Sequence, residues 1–137
     1  MKTASAMLAA LGLTPCVQGV VLVYHSTTWS IAPIIHTGLS VQPKPYPIQC
    51  GQLDNAIPDS CKLYSNTGSC SSKGYTAHIH ALGRYNCNGH AQRPSDATVV
   101  APNGDRIENV ANDSRCQPLC CGASAYGTEV SAWQCKI

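Results

Sequence analysis

The residues most capable of chemistry are a pair of alternating histidines, His78-x-His80, inside Gly74-Tyr75-Thr76-Ala77-His78-Ile79-His80-Ala81-Leu82. On an extended strand, residues i and i+2 project from one face, so the two imidazoles would stand side by side. Such a pair has three chemical uses. It supplies two ligands for a divalent ion, with His90 in the loop Asn86-Cys87-Asn88-Gly89-His90 as a third. It makes a surface that titrates in mildly acidic fluid. It offers a general base to a nearby nucleophile or water. The plainer reading is two solvent-facing strand histidines, because the pattern carries no third ligand of its own. We therefore assign no metal and no cofactor. No Gly-x-Ser-x-Gly, His-Glu-x-x-His or dinucleotide fingerprint accompanies the pair, so no catalytic residue is assigned either. Together with Arg84, Tyr85 and Arg93, His78 and His80 form the set expected to be exposed between the cysteines and to make binding contacts.

Cysteines dominate the same region. Eight lie at Cys50, Cys61, Cys70, Cys87, Cys116, Cys120, Cys121 and Cys135, and a ninth at Cys16. A zinc site is disfavoured, since no C-x-x-C pair occurs and the densest cluster is Cys116-x-x-x-Cys120-Cys121. The other use is covalent. Met1–Gly19 reads as a secretory signal peptide. Lys2 is its positive start, Ala4 to Leu13 its apolar run, Pro15 its helix breaker, and Val17-Gln18-Gly19 a small-residue cleavage site. The apolar run falls short of the roughly 20 residues a membrane span needs. Removing this segment removes Cys16 and turns an odd count into an even one. Eight cysteines in an oxidising compartment imply four disulfides, each contributing about 2–4 kcal/mol. Sequence does not choose among the on the order of 100 possible pairings. Adjacent Cys120 and Cys121 are expected to bond in different directions, and Cys135 to close back on an early cysteine.

The positioning elements are mostly strands. Val20 to Tyr24 and Trp29 to Ile35 are β-branched runs, the second reduced by Pro33 to an edge strand or a bulge. Gln42-Pro43-Lys44-Pro45-Tyr46-Pro47 is a stiff, extended connector. Along Tyr75–Leu82 the residues Tyr75, Ala77, Ile79 and Ala81 share one parity, and Thr76, His78 and His80 the other, which predicts one buried and one polar face. Ala97–Val100 and Arg106–Val110 flank Asn103-Gly104, the preferred pair for a two-residue hairpin turn. Asn112-Asp113-Ser114 is an N-glycosylation sequon, with Asn112 as acceptor. Thr128 to Cys135 alternates as a final strand. The expected fold class is mostly β, or small α+β: a compact antiparallel sheet with long loops stapled by four disulfides. Three segments are expected: the signal peptide 1–19, N-terminal strands and a Pro-rich connector at 20–49, and a cystine-stapled β-rich domain at 50–137.

Composition narrows the function. The chain has 137 residues, one domain's worth, with no Phe and only 12% charged residues against a usual share of about 25%. The formal charge is +2 and includes Lys2. No run of Lys or Arg exists to track phosphates, so nucleic acid is not an expected partner, and no membrane span or polybasic patch is present. Taken together, the signal peptide, the even cysteine set and the absence of catalytic motifs resemble the small secreted cysteine-rich proteins of filamentous fungi, among them candidate effectors of plant pathogens. This is a resemblance of type over the whole chain, not of motif. It implies a secreted, monomeric, non-enzymatic protein whose partner is a host protein or glycan. Hydrophobins are excluded because their pattern has two adjacent cysteine pairs. The segment from Cys61 to Tyr75 has a slight similarity to the start of secreted guanyl-specific ribonucleases, whose active-site Glu and Arg have no counterpart here. A secreted antimicrobial toxin and a small histidine-using hydrolase are the alternatives. The near-neutral charge weighs against the first.

Overall fold

The computed structural model describes residues 19–28, 31–32, 34–45, 60–84, 92–121 and 128–137. Among these the fold is nearly all β, in two antiparallel sheets with no α-helix. The strands are β1 (Val20–Thr28), β2 (Ile34–Gln42), β3 (Ser60–Leu63), β4 (Gly68–Ser72), β5 (Tyr75–Arg84), β6 (Gln92–Val100), β7 (Arg106–Ile107), β8 (Cys116–Cys121) and β9 (Thr128–Lys136). Sheet 1 runs β3-β2-β1-β9-β8, and sheet 2 runs β4-β5-β6-β7. A mostly β, antiparallel fold is therefore what the strand patterns predict. Its division into two sheets is not.

The reason for two sheets is visible in β1. Val20, Val21, Leu22, Val23 and Tyr24 are all buried, so this strand is covered on both faces. A strand with one wet face would alternate. Its odd residues, Val21 and Val23, join Leu39 of β2 and Trp133 and Cys135 of β9 in the inter-sheet core. Sheet 2 contributes Tyr75, Ala77, Ile79, Ala97, Val99 and Ile107 to the same core. The even residues Leu22 and Tyr24 form a second cluster on the other face of sheet 1, with Leu119, Val130 and Ala132. Each fully buried Val, Leu or Ile contributes about 1.5–3 kcal/mol, so a core without Phe is sufficient. Tyr24 lies opposite Gly38 in register, and its hydroxyl reaches the Cys61 carbonyl 3.4 Å away. A side chain at Gly38 would collide with that carbonyl, its Cβ only 2.1 Å from the oxygen.

Several expectations need adjusting. The second strand does not end at Ile35 as an edge. It begins at Ile34, immediately after Pro33, and runs between β1 and β3. Pro33 and Trp29 lie outside the described residues. The parity expected along β5 holds for Tyr75, Ala77 and Ile79, but Ala81 is only half-buried, because the β5–β6 register shifts between Ile79 and Ala81. The Asn103-Gly104 hairpin forms, with a longer turn than expected. Gly104 N–H donates to the Ala101 carbonyl at 2.9 Å and Ala101 N–H to the Asp105 carbonyl at 2.8 Å, with Gly104 at φ +90°. Pro102 favours a type I turn at the first loop position, which makes a three-residue loop closed by a left-handed glycine. The two-residue turn with both φ positive lies instead at Lys73 (φ 51°) and Gly74 (φ 81°), between β4 and β5.

Two disulfides are described. Cys61–Cys70 joins β3 to β4 and so links the edges of the two sheets. Cys116–Cys135 joins directly opposed residues of β8 and β9. The expectation that Cys135 reaches an early cysteine is thus corrected: β9 is held beside β1 by pairing along its whole length, and its bridge is to the next strand. Cys16, Cys50 and Cys87 lie outside the described residues. Cys120 and Cys121 occupy the register positions opposite Ser131 and Val130.

Candidate functional site

At the end of the sandwich where β1 finishes and β2 begins, the inter-sheet face turns from apolar to polar. Cross-strand register places Thr37, His25 and Ser131 in one row across β2, β1 and β9. All three are buried, Thr37 completely and His25 to within 6% of full burial. Among the described residues, neither Nε2 of His25 nor Oγ1 of Thr37 has a hydrogen-bond partner. A buried polar atom without a partner costs about 1–3 kcal/mol, so these two atoms weigh against the stability of the fold. Burial also holds the His25 imidazole below its ordinary pKa, favouring the neutral ring.

Sheet 2 supplies a cation to the same region. Arg93 Nε donates to Ser131 Oγ at 2.9 Å, and its guanidinium carbon lies 5.1 Å from the centroid of the Trp133 ring. That geometry is a cation–π contact, strengthened by desolvation. Trp133 Nε1 in turn donates to the Pro94 carbonyl at 2.6 Å. Glu129 is buried two residues along β9 from Ser131, on the same face.

Outside this polar row the same end exposes apolar side chains. Ile31, Ile34, Ile35 and Tyr64 are the exposed large hydrophobic residues among those described. Ile31 is fully exposed in the bend before β2, and Ile34 and Ile35 open that strand on opposite faces. The Tyr64 ring meets His36 edge-on at a centroid distance of 4.7 Å. Burial, followed by the charge of Lys62, lowers the His36 pKa.

The histidines singled out in the sequence lie elsewhere, on the outer face of sheet 2. His78 Nδ1 is 2.7 Å from Ser69 Oγ, directly across β4–β5, and Ser71 Oγ is 2.8 Å from Thr76 Oγ1 in the next polar row. His80 is exposed at the register shift. Among the described residues no three His, Cys, Asp or Glu side chains gather to hold a metal ion. His90 and Tyr85 lie outside the described residues. Arg84 is exposed at the end of β5. Arg93, expected to be exposed, is corrected: it is 4% exposed and packed between the sheets, because the β6 register carries it onto Ser131 and Trp133. Asn112 is exposed at the end of a single 3-10 turn, Val110–Asn112, with Asn109 capping it through Ala111 N–H.

The set His78, His80, Arg84 and Arg93 is therefore not one surface. Sequence reading passed over Ile31, Ile34, Ile35 and Tyr64, together with His25 and Thr37. The available signal was that Ile34-Ile35 follow Pro33 at a strand start, where alternation has not begun. Scans against protein-family models, curated proteins and solved structures match nothing, so the reading of function rests on this geometry. No helix among the described residues is long and apolar enough to cross a membrane, and the two disulfides are compatible with a secreted protein.

Proposed function

We propose that this chain is a secreted, disulfide-stabilised, non-enzymatic binding protein of the fungal effector type, which engages a host protein through the β1–β2 end. The observation carrying this reading is that, among the described residues, the exposed large hydrophobics are Ile31, Ile34, Ile35 and Tyr64, all at the β1–β2 end of the sandwich. Exposed apolar residues gathered at one end of a domain suit an interaction site, and aromatic anchors such as Tyr64 carry much of the binding energy. Aliphatic side chains suit a protein groove better than a glycan, whose recognition depends on polar groups.

The test compares immobilised wild-type protein with an Ile31→Ser/Ile34→Ser variant in host extracellular and cytosolic extracts. The expected result is one saturable partner retained by the wild type and lost by at least tenfold in the variant. His78→Ala/His80→Ala is expected to keep it. Equal retention by the tip variant would overturn the proposal.

One observation favours a second reading. The Ser69–His78 contact pairs a hydroxyl with an imidazole at the distance a nucleophile and its base require. It lies on an exposed sheet face, open to water. If the protein is a small hydrolase, Ser69→Ala and His78→Ala each abolish hydrolysis of model esters. Activity unchanged in both variants removes this reading.

A further inference from the structure

The expected secretory cut between Gly19 and Val20 meets a structural obstacle at Gly19 itself. Gly19 is built into sheet 1. Its N–H donates to the Ile137 carbonyl at 2.7 Å, and the Ile137 N–H returns a bond to the Gly19 carbonyl at 3.0 Å. This reciprocal pair extends the β1–β9 register by one rung beyond Val20 and Lys136. The same Ile137 carbonyl accepts the Tyr75 hydroxyl from sheet 2 at 2.9 Å, and Tyr75 and Ile137 are both buried. Three residues from three strand ends thus meet at one node that joins the sheets.

The node also requires glycine. A Cβ at residue 19 would stand 2.2 Å from the Tyr75 hydroxyl oxygen and 2.9 Å from Cζ of its ring. An ordinary discarded leader residue has no such constraint. A chain starting at Val20 would lose both bonds of the pair and leave the Ile137 N–H, beside a buried side chain, without its acceptor.

We infer that Gly19 belongs to the mature protein and that the secretory cut lies upstream, after Cys16. Thr14-Pro15-Cys16 also offers small residues at the −3 and −1 positions, directly after the apolar run. This cut likewise removes Cys16 and leaves eight cysteines. The inference rests on the secretory reading and refines where that processing occurs.

Two measurements test it. N-terminal sequencing of the protein recovered from culture medium is expected to begin at Val17, and a start at Val20 would overturn the inference. A retained Met1 would instead overturn the secretory reading itself. Independently, chains refolded from Gly19 and from Val20 are compared by thermal unfolding. The shorter chain is expected to melt roughly 5 °C lower, and equal melting temperatures would show that Gly19 has no place in the mature fold. Gly19→Ala should lower the melting temperature in the wild type, and lower it less in a Tyr75→Phe background, where the nearest colliding atom is gone. An equal drop in both backgrounds would overturn the proposed contact.

Discussion

The two ends of the sandwich differ in how completely their groups are satisfied. At the end holding Gly19, Tyr75 and Ile137, backbone pairs close, the Cys116–Cys135 bridge ties β8 to β9, and tight turns fit their residues. Arg115 gathers the neighbouring loops there: its guanidinium donates to Asp113 Oδ2 at 2.9 Å, to the Arg106 carbonyl at 2.9 Å and to Asp105 Oδ2 at 3.3 Å. These bonds hold the Asp113 carboxyl below its usual pKa. At the other end, His25 and Thr37 are buried with atoms unpaired among the described residues, and isoleucines face water. Among the described residues, polar groups are the more completely satisfied at the first end. The other keeps features that cost stability, the usual mark of a region shaped by something besides folding.

The sharpest way to break this contrast is to cut the closed end. Replacing Cys116 and Cys135 together by Ala should cost about 3 kcal/mol in urea unfolding. A loss under about 1 kcal/mol would mean that strand pairing alone holds this end and that the two ends are alike.

Acid should act on the open end. The folded-state pKa of His25 lies below its unfolded value of 6.5, so the unfolded chain takes up the proton first. Stability contributed by the neutral ring is complete above about pH 6.5 and is lost as pH falls from there toward the folded pKa. At its steepest the loss is about 1.4 kcal/mol per pH unit. His36 adds a change of the same sign. His25→Leu should flatten most of this slope between pH 7 and 5, and an unchanged slope would place the acid sensitivity elsewhere.

The smallest effect sharpens the comparison. Thr37→Val keeps the side-chain shape and deletes the unpartnered hydroxyl, so it should stabilise the protein by about 1 kcal/mol. Destabilisation would show that the hydroxyl has a partner in solution, such as an ordered water.

Much of the strand content was legible from residue alternation. Tyr75, Ala77 and Ile79 were readable as a buried face, and Thr128 to Cys135 as a strand, because period-2 patterns are local. The pairing of β1 with β9 was not, since nothing local in Val20–Tyr24 names a partner more than a hundred positions away. The uninterrupted apolar run there does carry one legible signal, burial on both faces. The open end was harder to read. His25 lies one residue past the apolar run, and only register shows it beside Thr37 and Ser131. Arg93 appeared to be a surface cation, and a tertiary contact with Trp133 decided otherwise.

The place of β1 in sheet 1 has a consequence for the order in which the protein can be made. Its partners are β2, available almost at once, and β9, which leaves the ribosome last of the described strands. The central strand therefore waits with one edge open until β9 has emerged. Contacts of such long sequence separation form slowly. A chain that cannot close its main sheet until β9 emerges has a folding step that no earlier segment can complete.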